Sequence, residues 1–171
     1  EIRLSLVGSE MCIRDSRRTK LNIRRAKKED IPQIEELLYQ VHKVHSDGRP
    51  DLFKAGEKKY TTEELEALVQ NDEKPIFVAE DDVILGYAFC VFQYHGNSMY
   101  NKTTLYIDDL CVSEKSRGHN VGTKLYEFVL DFAKKSNCYN VTLNVWACNE
   151  SAKSFYEKCG LSIQKYGCLL Y

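Results

Sequence analysis

Arg117-Gly118-His119-Asn120-Val121-Gly122 follows the apolar run Leu105-Tyr106-Ile107-Asp108-Asp109-Leu110-Cys111-Val112 and opens a helical pattern that continues to about Asn137. A strand, a short polar turn and a glycine-punctuated helix start together make an anion cradle. Several backbone N–H groups at a helix N-terminus lack partners, and the helix dipole adds partial positive charge there. A pyrophosphate suits such a cradle. Spacing excludes two other phosphate motifs. Three residues separate Gly118 from Gly122 where a Walker A loop needs four, and Thr123 precedes Lys124 in the wrong order. The Gly-x-Gly-x-x-Gly dinucleotide fingerprint is absent. Taken alone, the stretch reads equally well as a helix start whose glycine allows tight packing.

Around this turn the chain alternates strand and helix signals. Leu21-Asn22-Ile23-Arg24-Arg25 alternates at period two, as a strand does. Glu29-Asp30-Ile31-Pro32 starts a helix with proline in its first turn, and Ile34, Leu37, Leu38, Val41 and Val44 continue it at helical spacing. A second helix begins at Thr61, which is spaced from Glu64 as a capping box. Strands follow over 76–80 and 84–92, with Asp81-Asp82 as the hairpin turn. Then come the strand ending at Val112, the long helix, a strand over 141–146, a helix N-capped by Asn149 and a strand over 161–165. The order β-α-α-β-β-β-α-β-α-β predicts a mixed α/β sheet with helices on both faces. Asp108 and Asp109, adjacent in one strand, are expected on opposite faces of it.

The ends read differently. Met11-Cys12-Ile13-Arg14-Asp15-Ser16 resembles the translation of a sequencing-library transposon end, and Cys168-Leu169-Leu170-Tyr171 resembles its reverse complement. Residues 1–16 and 168–171 are therefore expected to be adapter-derived and are set aside. About 150 residues remain, enough for one well-cored domain. The whole chain of 171 residues carries 24 Lys and Arg against 25 Asp and Glu. Without the ends the two signs are equal in number, so there is no bulk electrostatic drive toward nucleic acid or a membrane surface. Cys90, Cys111, Cys138, Cys148 and Cys159 are scattered without a CxxC pair. They read as reduced thiols of a cytoplasmic protein. No apolar run approaches the roughly 20 residues of a membrane helix.

The turn at 117–122 resembles the phosphate motif Arg/Gln-x-x-Gly-x-Gly/Ala of the GNAT family of acyl-CoA N-acyltransferases, with Asn120 where the middle glycine is usual. Asn tolerates left-handed backbone best among the other residues, so the turn survives. Asn149-Glu150-Ser151-Ala152-Lys153-Ser154-Phe155-Tyr156-Glu157-Lys158-Cys159-Gly160-Leu161 resembles the family's Asn-x-x-Ala-x-x-Phe-Tyr-x-x-x-Gly-Phe segment, with Leu161 for the common Phe. Read without the family, Tyr156 is an ordinary core aromatic with its hydroxyl at the rim. The likeness covers nearly all of residues 21–167.

The resemblance implies an α/β fold whose mostly antiparallel sheet has two parallel central strands, 105–112 and 141–146, splayed at a CoA cleft. It implies residues 17–167 as one N-acetyltransferase domain, and one more antiparallel strand that should begin at Tyr166-Gly167 and is expected to be cut there, at a cost in stability. Acetyl-CoA is the implied acyl donor. Its pantetheine would pair with the backbone at Leu110, Cys111 and Val112 as an added strand does. Its pyrophosphate would rest on Arg117, Gly118, His119, Asn120, Val121, Gly122 and Thr123, with Asn149 and Tyr156 completing the contacts. Tyr156 matches the proton donor to the leaving thiolate, and Asp108 is placed first as proton acceptor for the amine. Tyr106 and Asn144 are further polar groups able to carry a water chain. The acceptor pocket is expected around residues 42–53, where His42 and His45 are more often surface groups than functional ones and lack partners for a metal. The expected partners are acetyl-CoA and an amine of a small molecule or protein, with no nucleic acid or membrane, and with a homodimer as one possible assembly. The rival reading is a noncatalytic acyl-CoA-binding regulatory module.

Overall fold

A computed structural model describes residues 21–96 and 99–168. The end segments expected to be adapter-derived lie outside the described residues, except for Cys168. Five strands, β1 (Asn22–Arg25), β2 (Ile76–Asp81), β3 (Val83–Tyr94), β4 (Thr103–Val112) and β5 (Asn140–Leu143), form one sheet in sequential order. The first three pairings are antiparallel and β4 runs parallel to β5. Among the described residues four α-helices accompany the sheet: α1 (Ile31–Gly48), α2 (Thr62–Val69), α3 (Val121–Lys135) and α4 (Glu150–Lys158).

Local chemistry sets the element boundaries. Pro32 occupies the first turn of α1, where its missing N–H would have no partner in any case. Thr61 and Glu64 close the expected capping box with reciprocal bonds of 3.2 and 2.8 Å. Asp82 turns the β2–β3 hairpin at φ 60°. Arg24 grips Asp30 with two bonds of 2.7 and 2.9 Å, joining β1 to the start of α1.

Each face of the sheet has its own core. On one, Ile34, Leu37, Leu38 of α1 and Leu65 of α2 pack on Ile76, Val78, Tyr87 and Phe89. On the other, Leu125, Val129 and Ala133 of α3 pack on Phe77, Ala88, Cys90, Leu105 and Ile107. Burial of these side chains at roughly 1.5–3 kcal/mol each is what holds helices against both faces. Gly86 lets β3 and β4 approach closely, because a Cβ there would stand 2.6 Å from the Cys111 carbonyl oxygen. Among the described residues no helix is long and apolar enough to cross a membrane.

Two expected strands are corrected. The strand over 141–146 ends at Leu143, since its last pairing with β4 is Ile107↔Leu143. The strand over 161–165 does not form. A strand exists only when its N–H and C=O groups are paired, and this segment finds no ladder partner among the described residues.

Candidate functional site

The end of β5 opens the site. Beyond Ile107, β4 continues for five residues without β5 beside it. Ser113 N–H donates to Leu85 O at 2.8 Å. By the alternation of an antiparallel ladder, Asp109 and Cys111 then turn their backbone toward β3, whereas Leu110 and Val112 turn theirs to the vacated side. The Val112 carbonyl there accepts a bond from Gln40 Nε2 at 2.9 Å, and Gln40 Oε1 accepts Glu114 N–H at 2.9 Å. This clamp ties α1 to the exit of β4. Of the three backbone positions expected to receive an added strand, Leu110 and Val112 present themselves. Cys111 instead buries its thiol under α1 and donates to Leu37 O at 3.6 Å.

The same point carries a bulge. Phe89 opposes Asp109 and Cys90 opposes Ile107, so Asp108 is an extra residue in the ladder. The expectation that Asp108 and Asp109 face opposite sides is corrected: the inserted residue shifts the phase, and both carboxylates lie on the α1–α2 side. Tyr60 donates to Asp108 Oδ2 at 2.9 Å, Lys59 Nζ reaches the same oxygen at 2.7 Å, and Tyr87 donates to Asp109 Oδ2 at 2.9 Å. Tyr60 stacks on Phe89 with centroids 5.4 Å apart, which seats the α1–α2 loop on the sheet.

Asp109 keeps part of its surface open to the cleft, but protein crowds its carboxyl. Desolvation raises its pKa to about 6, opposed by the Tyr87 hydrogen bond and the charge of Lys59. Burial, with the Asp109 charge next, raises the Tyr156 hydroxyl above the ordinary tyrosine range. Tyr156 packs its ring on Phe155 and Tyr126 at 5.1 and 6.5 Å. The phenol therefore stays protonated across the pH range in which the Asp109 carboxyl loses its proton. Tyr106 lies within reach of Asn144, and burial first and Asp108 second push its hydroxyl up.

The turn into α3 sits past the exit of β4. Gly118 has φ +81° and Asn120 φ 59°, ψ 15°. The left-handed geometry anticipated for Asn120 is therefore present, without a side-chain cap bond. Lys124 N–H donates to Asn120 O at 3.0 Å as the first helical bond, which leaves Val121, Gly122 and Thr123 N–H groups without an intrahelical acceptor. Arg117 and His119 are not buried, and Arg117 pairs at 3.8 Å with Glu114. A Cβ on Gly122 would make ordinary contact at 3.4 Å with Phe155 and Val112. Packing alone therefore does not demand glycine there. Asn149 caps α4 as expected, accepting Ala152 N–H at 3.1 Å.

The region expected to meet the acceptor gathers beside the end of β5. His42 and His45 lie 5.8 and 5.3 Å from Phe53, Phe53 lies 5.6 Å from Trp146, and Arg49 stands over the Trp146 ring at 5.8 Å. A recess of about 210 Å³ lies between Val44, His45, Gly48, Trp146 and Cys148. Lys59 and Tyr60 were not among the expected site residues. One signal was available: apolar residues fall at 105 and 107 and then at 110 and 112, a phase slip that a bulge produces.

A family model described as the acetyltransferase (GNAT) family matches residues 38–161. Over 57 residues the chain is 42% identical to glucosamine 6-phosphate N-acetyltransferase from Arabidopsis thaliana, covering 33% of this chain and 36% of that protein. It is 36% identical over 87 residues to N-alpha-acetyltransferase 30 from Schizosaccharomyces pombe, covering 49% of this chain and 55% of that protein. The chain thus spans about a third to just over half the length of these curated relatives. Its fold matches a mutant of the BH1408 protein from Bacillus halodurans with a TM-score of 0.83 and 29% identity, over 88% of this chain and 98% of that one.

Proposed function

The chain belongs to the acetyltransferase (GNAT) family, and from that premise we propose that it transfers an acetyl group from acetyl-CoA to a primary amine by direct attack in a ternary complex. One observation carries this reading: β4 loses its parallel neighbour at a bulge that places the Asp108 and Asp109 carboxylates side by side on one face, with Tyr156 close enough to feel the Asp109 charge. Acetyl-CoA supplies the activated acyl group as a thioester. Leu110 and Val112 offer backbone that would bind the pantetheine amides, and the Val112 N–H, turned to the vacated side, can stabilise the oxyanion. The turn from Arg117 to Thr123 offers its N–H groups to the pyrophosphate. Asn149 contributes by setting the start of α4, which carries Tyr156. Tyr156 donates a proton to the leaving thiolate.

The proton acceptor is one of the two bulge carboxylates. Asp108 is held by Lys59 and Tyr60, whereas Asp109 has the pKa matched to the task, so Asp109 takes the proton and Asp108 orients the incoming amine. The relatives' names point to two acceptor kinds, glucosamine 6-phosphate and an α-amine. Either keeps the requirement for a free amine nitrogen. A reducing, cytoplasmic setting belongs to the same reading, supported by the free thiols.

Thiol release from acetyl-CoA over a panel of amines tests the proposal. Turnover with at least one amine is expected, and Tyr156→Phe should lower kcat by about 100-fold with little change in acetyl-CoA affinity. Tight acetyl-CoA binding with no turnover across the panel would replace it with the noncatalytic regulatory module.

A further inference from the structure

One amine of the protein itself stands against a carboxylate of the proposed site. Lys59 sends its ammonium to within 2.7 Å of Asp108 Oδ2, at the point where β4 loses its parallel neighbour. Its position is not that of a wandering surface lysine. Tyr60, the next residue, is stacked on Phe89 and bonded to the same carboxylate oxygen, so the backbone at 59 is anchored to the sheet. The Lys59 ammonium also lies 5.4 Å from the Tyr60 ring centroid, and its side chain remains 42% exposed. Lys58 provides a contrast one residue away. It turns to the opposite partner set, pairing with Glu35 and lying 5.8 Å from the Tyr39 ring.

We propose that Lys59 is a site of self-acetylation: a tethered amine held at the acceptor position, which the domain modifies in cis when no external amine is bound. This rests on the acetyl-CoA reading above. The ammonium first gives up one proton through the bulge carboxylates to solvent. The free nitrogen pair then bonds to the acetyl carbon, the C–S bond breaks with its electrons on sulfur, and the sulfur takes a proton from Tyr156. The second nitrogen proton passes to Asp109 and restores Tyr156 through solvent. One acetyl group thus moves to Nζ, CoA leaves as the free thiol, and one proton is released overall. The product is a neutral amide, which ends the Lys59–Asp108 ion pair and leaves Asp108 to the incoming acceptor.

The test incubates the full chain with acetyl-CoA alone and follows intact mass and peptide maps, with acetyl-CoA affinity measured separately by calorimetry. A single acetyl group on Lys59, gained about tenfold or more faster than on Lys58, is expected. Lys59→Arg should abolish it, Asp109→Asn should slow it about tenfold or more without loss of acetyl-CoA binding, and a good amine acceptor should compete with it. Unmodified Lys59 in a chain that binds acetyl-CoA would overturn self-acetylation and leave the proposed enzyme activity standing. Equal rates at Lys58 and Lys59, or a rate unaffected by Asp109→Asn, would reduce the modification to uncatalysed chemistry. Absence of acetyl-CoA binding would overturn both proposals together.

Discussion

Asp109 is where a single side chain sets the pH dependence of the proposed reaction. Its carboxyl must be ionised to accept a proton, and crowding holds its pKa at about 6. The rate at limiting substrate should therefore rise through a limb near pH 6. Asp109→Asn should remove that limb and lower kcat/KM by about 100-fold; a profile identical to the parent's would exclude Asp109 as the base. Asn120 is the second decisive residue. Its φ of 59° suits Asn or Gly and penalises a β-branched side chain. Asn120→Gly should keep acetyl-CoA affinity, whereas Asn120→Val should lose stability by about 1–2 kcal/mol and weaken binding. Thermal melts and calorimetry on both variants check this, and equal behaviour would show that the turn does not need left-handed geometry.

At the scale of elements, the split between β4 and β5 is the functional device. The strands share register from Thr104↔Asn140 to Ile107↔Leu143 and then part, while β4 stays paired to β3 through Val112. The bulge falls at the same place and re-aims Asp108. Hydrogen exchange should separate the two edges residue by residue. Asp109 and Cys111 amides, turned to β3, should be protected with or without ligand. Leu110 and Val112 amides should exchange quickly in the free protein and slow by about tenfold or more when acetyl-CoA is bound at saturation. No protection at Leu110 and Val112 in the complex would rule out strand-like binding along this edge.

For the whole molecule, two carboxylates pull stability in opposite directions with pH. Asp30 is buried, and its bonds to Arg24 lower its pKa in the folded state. Its contribution is thus present above the unfolded value near 4 and fades as pH falls through the lower folded value. Asp109 is raised instead. Its ionisation opposes folding increasingly from about pH 4 to pH 6 and fully above that, by about 3 kcal/mol. Asp109→Asn should therefore raise the thermal midpoint at pH 8 and leave it nearly unchanged at pH 4. Asp30→Asn should lower it at pH 7 by more than at pH 3. A midpoint gain for Asp109→Asn that is the same at pH 4 and pH 8 would refute the raised carboxyl.

Much of this was legible in the chain because it depends on neighbours in sequence. Helix caps at Thr61 and Asn149, the proline at the start of α1, the Asp82 turn and the left-handed Asn120 are local events, decided within four or five residues by hydrogen bonds and backbone sterics. Hydrophobic periodicity likewise determined which faces are buried and so the two-sided α/β fold, and the paired motifs at 117–122 and 149–161 marked the family. What tertiary structure decided was where strands stop and which side chains meet. β5 ends at Leu143, and residues 161–168 join no ladder among the described residues, because a ladder requires a partner from elsewhere in the chain. Asp108 and Asp109 share a face because the register with β3 slips by one residue. Lys59 reaches Asp108 across 49 positions because the stacking of Tyr60 on Phe89 seats the loop that carries it. A carboxyl's pKa depends on what surrounds it in space, and no local pattern encodes that surrounding.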